Sequence, residues 1–258
     1  MNKKDISFQL YTARNFQPYD KILNYFSDCG IVNIELFGLE SINIENFTSI
    51  MEKFNITVKS SHFSFEALEN PSNIIKRAKT LNIEYLIVPA PPVKGNEFKD
   101  QFSMTEDEWI IFGKNLSSYT SIFEDSGLKL GYHNHSFEFR PLPTGKFPIE
   151  CIMEQNENLK FEIDLGWTVA GKADPIFWIK KYASRIIACH LKDFSSSDKN
   201  LLDYDSQCAI GEGFIDWKSI LNEIKNTNCK IFALEHDDPK DYKEYISKSL
   251  NFLSNLEV

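Results

Sequence analysis

The chain has 258 residues, of which 42% are hydrophobic, and it carries a formal net charge of −9. That length is typical of one eight-fold βα barrel, and the apolar fraction is sufficient for a large buried core. The acidic balance argues against nucleic acid or an anionic membrane surface as a partner, because both repel a negatively charged protein.

Cysteine spacing and the amino-terminal segment indicate the cell compartment. The five cysteines are widely spaced and include no CxxC pair, a pattern typical of reduced thiols in the cytosol. The amino-terminal segment has basic residues but lacks the apolar run of a secretory signal, and no stretch approaches the ~20 apolar residues of a membrane span. We therefore expect a cytoplasmic protein that does not bind membranes.

Apolar segments typical of β-strands alternate with helical segments along the whole chain. Some helices carry clear end signals: Gly30 follows the first, and Thr105 with Glu108 forms a capping box before a later one. Because consecutive parallel strands need a crossover, this alternation indicates a parallel sheet. The strand-like segments are residues 6–12, 32–38, 56–64, 84–92, 128–139, 159–167, 185–194 and 230–237.

Eight such units that close on themselves form an α/β fold of the (β/α)8 TIM-barrel type. No change of composition marks a second domain, so we expect one barrel domain over residues 1–258. An open doubly wound sheet would need a glycine-rich fingerprint after its first strand, and that fingerprint is missing from the sequence.

Four of the strand-like segments end on residue types that bind divalent metals, namely His133, Asp164, His190 and Glu235. The carboxyl ends of barrel strands meet on one face, so these side chains are predicted to converge. Two imidazoles and two carboxylates form a mixed nitrogen–oxygen set that suits Mn²⁺, Zn²⁺, Co²⁺ or Fe²⁺. The sequence therefore predicts a metal centre, in which Glu235 could also accept a proton.

Further polar residues stand two positions from these donors, on the same face if the strand is regular. His135 is an alternative metal ligand or an acid/base group. Lys192 is predicted to contact the substrate or to pair with a carboxylate. Glu162 is either a carboxylate that orients a histidine or part of a structural ion pair.

Residues at other strand ends give weaker indications. Glu35 and His62 lie near the ends of the second and third segments, as substrate contacts or as structural residues. Trp167 could form an apolar wall against a sugar ring or pack under a loop. The glycines of 211–213 indicate tight turns near a ligand, and residues 236–238 are expected to form an exposed turn.

The motifs GYHNHSFEF, FEIDLGW, CHLKDF, IGEGFIDW and FALEHD follow one another in the sequence. Together with IELFG and SSHFS, they resemble the sugar phosphate isomerase/epimerase family over the whole chain. That family belongs to the xylose isomerase-like TIM-barrel superfamily, which also includes inosose dehydratases and enzymes that process 3-keto-glycosides. The order and spacing of the motifs are specific to the superfamily, whereas they do not specify the substrate.

The resemblance implies one divalent metal, often Mn²⁺, with Zn²⁺, Co²⁺, Fe²⁺ or Mg²⁺ as alternatives. Its ligands would be the four strand-end residues named above. Ketose 3-epimerases that resemble this family have a glutamate on strand five, where this sequence has His133. The symmetric proton shuttle between two glutamates is therefore in doubt, and His135 or Glu138 would have to substitute. Glu138 is also expected to contact the substrate.

The predicted function is a metal-dependent isomerase or epimerase that acts on a keto-sugar or sugar phosphate through an enediolate intermediate. Glu235, His135 and His62 would move the proton. The alternative is a dehydratase or lyase acting on a keto-polyol or a 3-keto-glycoside. A sugar-binding barrel without activity and an endonuclease IV-like DNA repair enzyme are the remaining interpretations, and the net charge of −9 argues against the latter. Barrels of this family often pair, so a homodimer is also expected.

Overall fold

The computed structural model describes residues 5–92, 98–196, 198 and 204–256. Eight parallel strands form a closed barrel in which each strand pairs with its neighbours in sequence, and the last strand pairs with the first. The predicted (β/α)8 barrel is therefore confirmed. The strands are β1 Ile6–Gln9, β2 Asn33–Leu36, β3 Thr57–His62, β4 Tyr85–Val88, β5 Lys129–His133, β6 Lys160–Asp164, β7 Ile186–Leu191 and β8 Ile231–Leu234.

Helices connect the strands and cover the outside of the barrel. The two predicted end signals are confirmed: Gly30 ends the first helix with a left-handed φ of 80°, and Thr105 and Glu108 form a reciprocal capping box. Within the residues that the structure describes, no helix combines the length and apolarity that crossing a membrane requires. The helices are α1 Tyr19–Cys29, α2 Ile44–Phe54, α3 Pro71–Thr80, α4 Glu106–Ser117, α5 Thr120–Asp125, α6 Pro148–Met153, α7 Leu165–Ala170, α8 Pro175–Lys181, α9 Trp217–Ile224 and α10 Tyr242–Asn255.

Several strands end earlier than the sequence pattern predicts, and at β6 the polar side chain that turns the backbone is Asp164. Asp164 accepts a hydrogen bond from the Trp167 amide at 2.7 Å and so starts α7 directly after β6. β5 ends at His133, and the chain then loops to a short 3₁₀ helix. The prediction that His133 and His135 share one face of a continuous strand is therefore wrong, since His135 lies in the loop.

A close approach between α7 and the end of β7 explains the glycine after Asp164. A Cβ atom at Gly166 would lie 2.4 Å from the carbonyl oxygen of Lys192, so only glycine fits without a shift of the backbone. The missing side chain at Gly166 lets the start of α7 lie against the backbone that follows β7. Nearby, Lys192 Nζ lies 3.3 Å from Asp164 Oδ2.

The apolar core has two parts. A large cluster of buried side chains lies between the strands and the surrounding helices. A second, smaller cluster, here called the barrel floor, comes from the first three residues of β4, β7 and β8. Its members are Tyr85, Ile87, Ile187, Ala188 and Ile231. The floor leaves the carboxyl half of the barrel for polar side chains.

Candidate functional site

Buried polar side chains occupy the barrel towards the carboxyl ends of the strands, in two layers. Contacts among the described residues define an inner layer that includes Gln9, Glu35, His62 and Glu162, and an outer layer that includes Asp164, Lys192, Glu235 and Asp237. His133 and His190 lie between the two layers. Every one of these side chains is buried. Residues from separate strands can meet in this way only inside the barrel.

The structure brings together the four predicted metal donors. One donor atom each from His133, Asp164, His190 and Glu235 lies within 4.8 Å of the other three. His133 and Asp164 are the last residues of β5 and β6, while Glu235 follows β8 directly. The convergence follows from the parallel barrel, because its register places Asp164 beside His190.

The donor set fits a divalent cation. Asp164 Oδ2 is buried and has no hydrogen-bond partner, although Lys192 Nζ lies 3.3 Å away. A buried carboxylate oxygen without a partner is costly, and a cation would satisfy it. Burial raises the pKa of Asp164 to about 6, even though Lys192 acts to lower it. The buried His/Asp/Glu cluster could therefore bind a metal through two nitrogen and two oxygen atoms.

His190 uses its two ring nitrogens in opposite directions. Nδ1 lies 2.9 Å from Glu235 Oε2 in the outer layer, and Nε2 lies 2.6 Å from Glu35 Oε2 in the inner layer. Burial alone would lower the pKa of His190, but Glu162, Glu235 and Glu35 raise it well above its ordinary value. One imidazole therefore links the two layers.

Lys192 is a fully buried cation that neutralises the outer layer. Its Nζ lies 2.7 Å from Asp237 Oδ2 and 3.0 Å from Glu235 Oε2, as well as near Asp164. The same ammonium lies 4.5 Å from the centroid of the Trp167 ring, a cation–π distance. Lys192 and Trp167 thus form one wall of the site, where a substrate contact was predicted for both.

His135 and Glu138 belong to the loop after β5. Glu138 is completely buried: it accepts hydrogen bonds from the Tyr132 hydroxyl and from the His135 amide, and burial raises its pKa to about 8. The His135 ring stacks on Phe137 and lies 6.2 Å from the Trp167 ring. Its Nδ1 is buried without a hydrogen-bond partner, and burial lowers the pKa of the ring to about 4. A neutral imidazole is therefore available beside the donor set.

Glu35 and His62 lie in the inner layer. Glu35 is not exposed at all, and it accepts hydrogen bonds from Gln9 at 2.8 Å and from the Ser60 hydroxyl. His62 Nε2 lies 2.6 Å from Glu162 Oε2, and the His62 ring stacks on His190. These contacts give both residues structural partners beneath the donor set, while their predicted roles towards a substrate stay predictions.

Three contacts were missed or misjudged from the sequence. Residues 236–238 were expected to be an exposed turn, but His236 and Asp237 are buried, and Asp237 pairs with Lys192. Asn134 fixes the end of β6 by hydrogen bonds to both the amide and the carbonyl of Asp164. The glycine turn at 211–213 faces Asp193, whose carboxylate accepts hydrogen bonds from both glycine amides. The sequence indication of this contact was the position of Asp193 directly after Lys192.

Comparisons with known proteins agree with this architecture. A curated relative, inosose dehydratase 2 of Bacillus cereus, is 28% identical over 176 residues, which cover 60% of this chain and 57% of the relative. The chain thus matches little more than half the length of that relative.

Solved structures match almost the whole chain at low identity, which shows the fold alone. A sugar phosphate isomerase/epimerase from Parabacteroides distasonis ATCC 8503 has a TM-score of 0.77 at 20% identity, covering 98% of this chain and 94% of that one. The probable 3-DHS dehydratase AsbF from Bacillus anthracis also reaches 0.77, at 15% identity, with 98% and 99% covered. An IOLI protein with a bound zinc atom reaches 0.73 at 15% identity, with 97% of both chains covered.

A family model described as a xylose isomerase-like TIM barrel matches residues 21–256, which is most of the sequence. The matched region includes all four candidate donors and seven of the eight barrel strands. The chain therefore belongs to the xylose isomerase-like TIM barrel family.

Proposed function

We propose that the protein is a metal-dependent dehydratase that removes water from a small carbonyl compound with several hydroxyl groups. The observation that carries the proposal is the set of four buried donor atoms within 4.8 Å, with Asp164 Oδ2 lacking a hydrogen-bond partner. Elimination is favoured over isomerisation because the relatives matched by sequence are named inosose dehydratases and a structural neighbour is a probable 3-DHS dehydratase. Strand five, moreover, ends on His133 where the epimerase pattern has a glutamate.

His133, Asp164, His190 and Glu235 would hold the ion, and we propose Mn²⁺. A divalent ion at this position would supply Lewis-acid polarisation of the substrate carbonyl, which makes the adjacent C–H bond more acidic. Trp167 would pack against the carbon skeleton of the substrate and exclude water from it. A substrate of this kind carries hydroxyl groups that the remaining polar atoms of the outer layer can bind.

The protein side chains supply the proton transfers. His135 Nδ1, which is neutral and without a partner, would accept the proton from the carbon next to the carbonyl. As the new C=C bond forms, the C–O bond on the neighbouring carbon breaks. The departing hydroxyl takes a proton from the Lys192 ammonium and leaves as water. Solvent then returns a proton to Lys192 and removes the one on His135.

A direct test uses inosose and 3-DHS as trial substrates in deuterated water. The chain depleted of metal should show no loss of water, and Mn²⁺ should restore it. Asp164→Asn should lower the rate by about a thousand-fold, since a lost metal contact is worth several kcal/mol. Asp193→Asn is the matched control, because Asp193 is also a buried carboxylate but faces the 211–217 loop.

Two outcomes would overturn the proposal. Undiminished water loss in the metal-depleted chain would exclude the metal from the reaction. Deuterium uptake next to the carbonyl, without any loss of water, would replace the dehydratase with an isomerase or epimerase.

A further inference from the structure

Three histidines surround one carboxylate oxygen in the inner layer. Glu162 Oε2 lies 2.6 Å from His62 Nε2, 3.2 Å from His133 Nδ1 and 3.2 Å from His190 Nε2. Glu162 and His190 are not exposed at all, and His133 is 2% exposed. His62 is 8% exposed, so all three rings are shielded from bulk solvent and contacts within the protein can set their orientations.

In His133 and His190, the two histidines proposed to bind the metal, these contacts give the two ring nitrogens different surroundings. A neutral imidazole has one nitrogen that donates and one that accepts, and a metal binds the accepting nitrogen. For His190, Nε2 faces Glu35 and Glu162, which leaves Nδ1 on the side of Glu235. For His133, Nδ1 faces Glu162, which leaves Nε2 for the outer layer.

We propose that Glu162 is a positioning residue that fixes both histidines for the metal. By accepting from one nitrogen of each ring, it commits His190 to bind through Nδ1 and His133 to bind through Nε2. This inference rests on the proposed metal centre but not on the reaction carried out there. Carboxylates that hold the second nitrogen of a metal-bound histidine are a common means of setting ring orientation and basicity.

Glu35 and His62 complete the arrangement. Glu35 Oε2 lies closer to His190 Nε2 than Glu162 does, at 2.6 Å, so His190 has two acceptors and His133 has one. His62 donates its own hydrogen bond to Glu162 and stacks on the His190 ring with an interplanar angle of 2°. We therefore expect His133 to depend on Glu162 more than His190 does.

A second ion is the competing explanation of the same cluster. Donor atoms of His62, His133, Glu162 and His190 also lie within 4.8 Å of one another, and Glu162 Oε1 is buried without a partner. An inner ion would, however, share His133 and His190 with the outer one. Simultaneous occupation would require each shared ring to bind metal through both nitrogens, which a neutral imidazole cannot do.

The experiment measures metal binding, independently of turnover, in the wild-type chain and in Glu162→Gln. Gln keeps the volume and one acceptor oxygen but removes the charge. We expect one Zn²⁺ or Mn²⁺ per wild-type chain, and an affinity lower by about 10–100-fold in the variant. Asp193→Asn, which should destabilise the fold away from the histidines, must leave the affinity unchanged.

Nitrogen NMR of histidine-labelled, Zn²⁺-loaded protein supplies a readout that a general loss of stability would not move. In the wild type, His190 should carry its proton on Nε2 and His133 on Nδ1, and in Glu162→Gln the His133 signal should change more. Wild-type affinity in Glu162→Gln, or two ions per chain of which the variant loses one, would overturn the inference. A wild-type chain that binds no ion overturns both proposals. One ion bound more weakly by the variant, without any dehydration, supports the inference and overturns only the proposed reaction.

Discussion

The two ends of the barrel interior have opposite chemistry. The barrel floor consists of Tyr85, Ile87, Ile187, Ala188 and Ile231, all buried and apolar except for one phenol group. Among the described residues, the opposite end includes a network of buried carboxylates, histidines and one lysine, namely Glu35, Glu162, Asp164, Glu235, Asp237, His62, His133, His190 and Lys192. β7 and β8 contribute to both ends: Ala188 lies two residues before His190, and Ile231 lies four residues before Glu235.

Because of this difference, the apolar residues of the floor and the polar residues of the candidate site lie at opposite ends of the barrel axis. Apolar burial stabilises a fold, whereas buried charges are tolerated only when they are paired or bind a cation. The floor can therefore offset the cost of desolvating the charged end. A substitution that adds a charge to the floor, or one that removes a charge from the opposite end, should show how strongly each end depends on its present residues.

The largest effect is expected when the floor receives a charge. Ile87→Asp would place a carboxylate in the mainly apolar barrel floor, at a cost of at least about 4 kcal/mol out of a typical stability of about 5–15 kcal/mol. Soluble yield and the thermal unfolding midpoint should both fall sharply. Ile87→Val is the matched control and should cost only about 1 kcal/mol. A well-folded Ile87→Asp protein would show that the floor tolerates charge as the opposite end does.

A smaller effect is expected when the charged end loses its lysine. Lys192→Met would leave Asp164, Glu235 and Asp237 without their cation, so the metal-free chain should lose about 3 kcal/mol of stability. Added Mn²⁺ should raise the unfolding midpoint more in this variant than in the wild type, since a ligand that binds the native state stabilises it.

The exposed Lys248, which pairs with Glu212 and Glu244, provides the comparison for that variant. Lys248→Met should leave the unfolding midpoint unchanged with and without Mn²⁺. An equal response to Mn²⁺ in Lys192→Met and the wild type would contradict the idea that the lysine and the ion neutralise the same carboxylates.

The smallest effect is expected outside the barrel interior. Thr105→Ala removes the capping box of α4 and should cost about 1 kcal/mol, because amides of the first helical turn lose their acceptor. Calorimetry measures this loss. Metal affinity should not change, and a change would mean that α4 is coupled to the charged end.

The barrel and the four donor residues could be predicted from the sequence because both depend on local patterns. The alternation of strands and helices indicates the topology, and the topology alone brings strand ends together. His133 and Asp164 were found in this way, as the last residues of apolar strands. The resemblance of the motifs to a known family added the expected metal and its ligand set.

The remaining contacts depend on where each strand stops and on partners far along the chain. His135 was assigned to a strand face, but β5 ends two residues before it. Packing on Phe137 sets the direction of the His135 ring. Asp237 has the sequence context of a turn residue, and only its distance to Lys192 reveals that it is buried. The three contacts of Glu162 involve β3, β5 and β7, a combination that no spacing along the sequence indicates.

The two oxygens of the Asp164 carboxylate make different contacts, which restricts how Asp164 can bind a cation. Oδ1 accepts a hydrogen bond from the Trp167 amide at the first turn of α7, while Oδ2 has no hydrogen-bond partner and lies 3.3 Å from Lys192 Nζ. Because Oδ1 already accepts from the Trp167 amide, a cation bound to both oxygens would compete with the cap of α7. Asp164 should therefore bind a cation through Oδ2, and an ion that also took Oδ1 would weaken the start of α7.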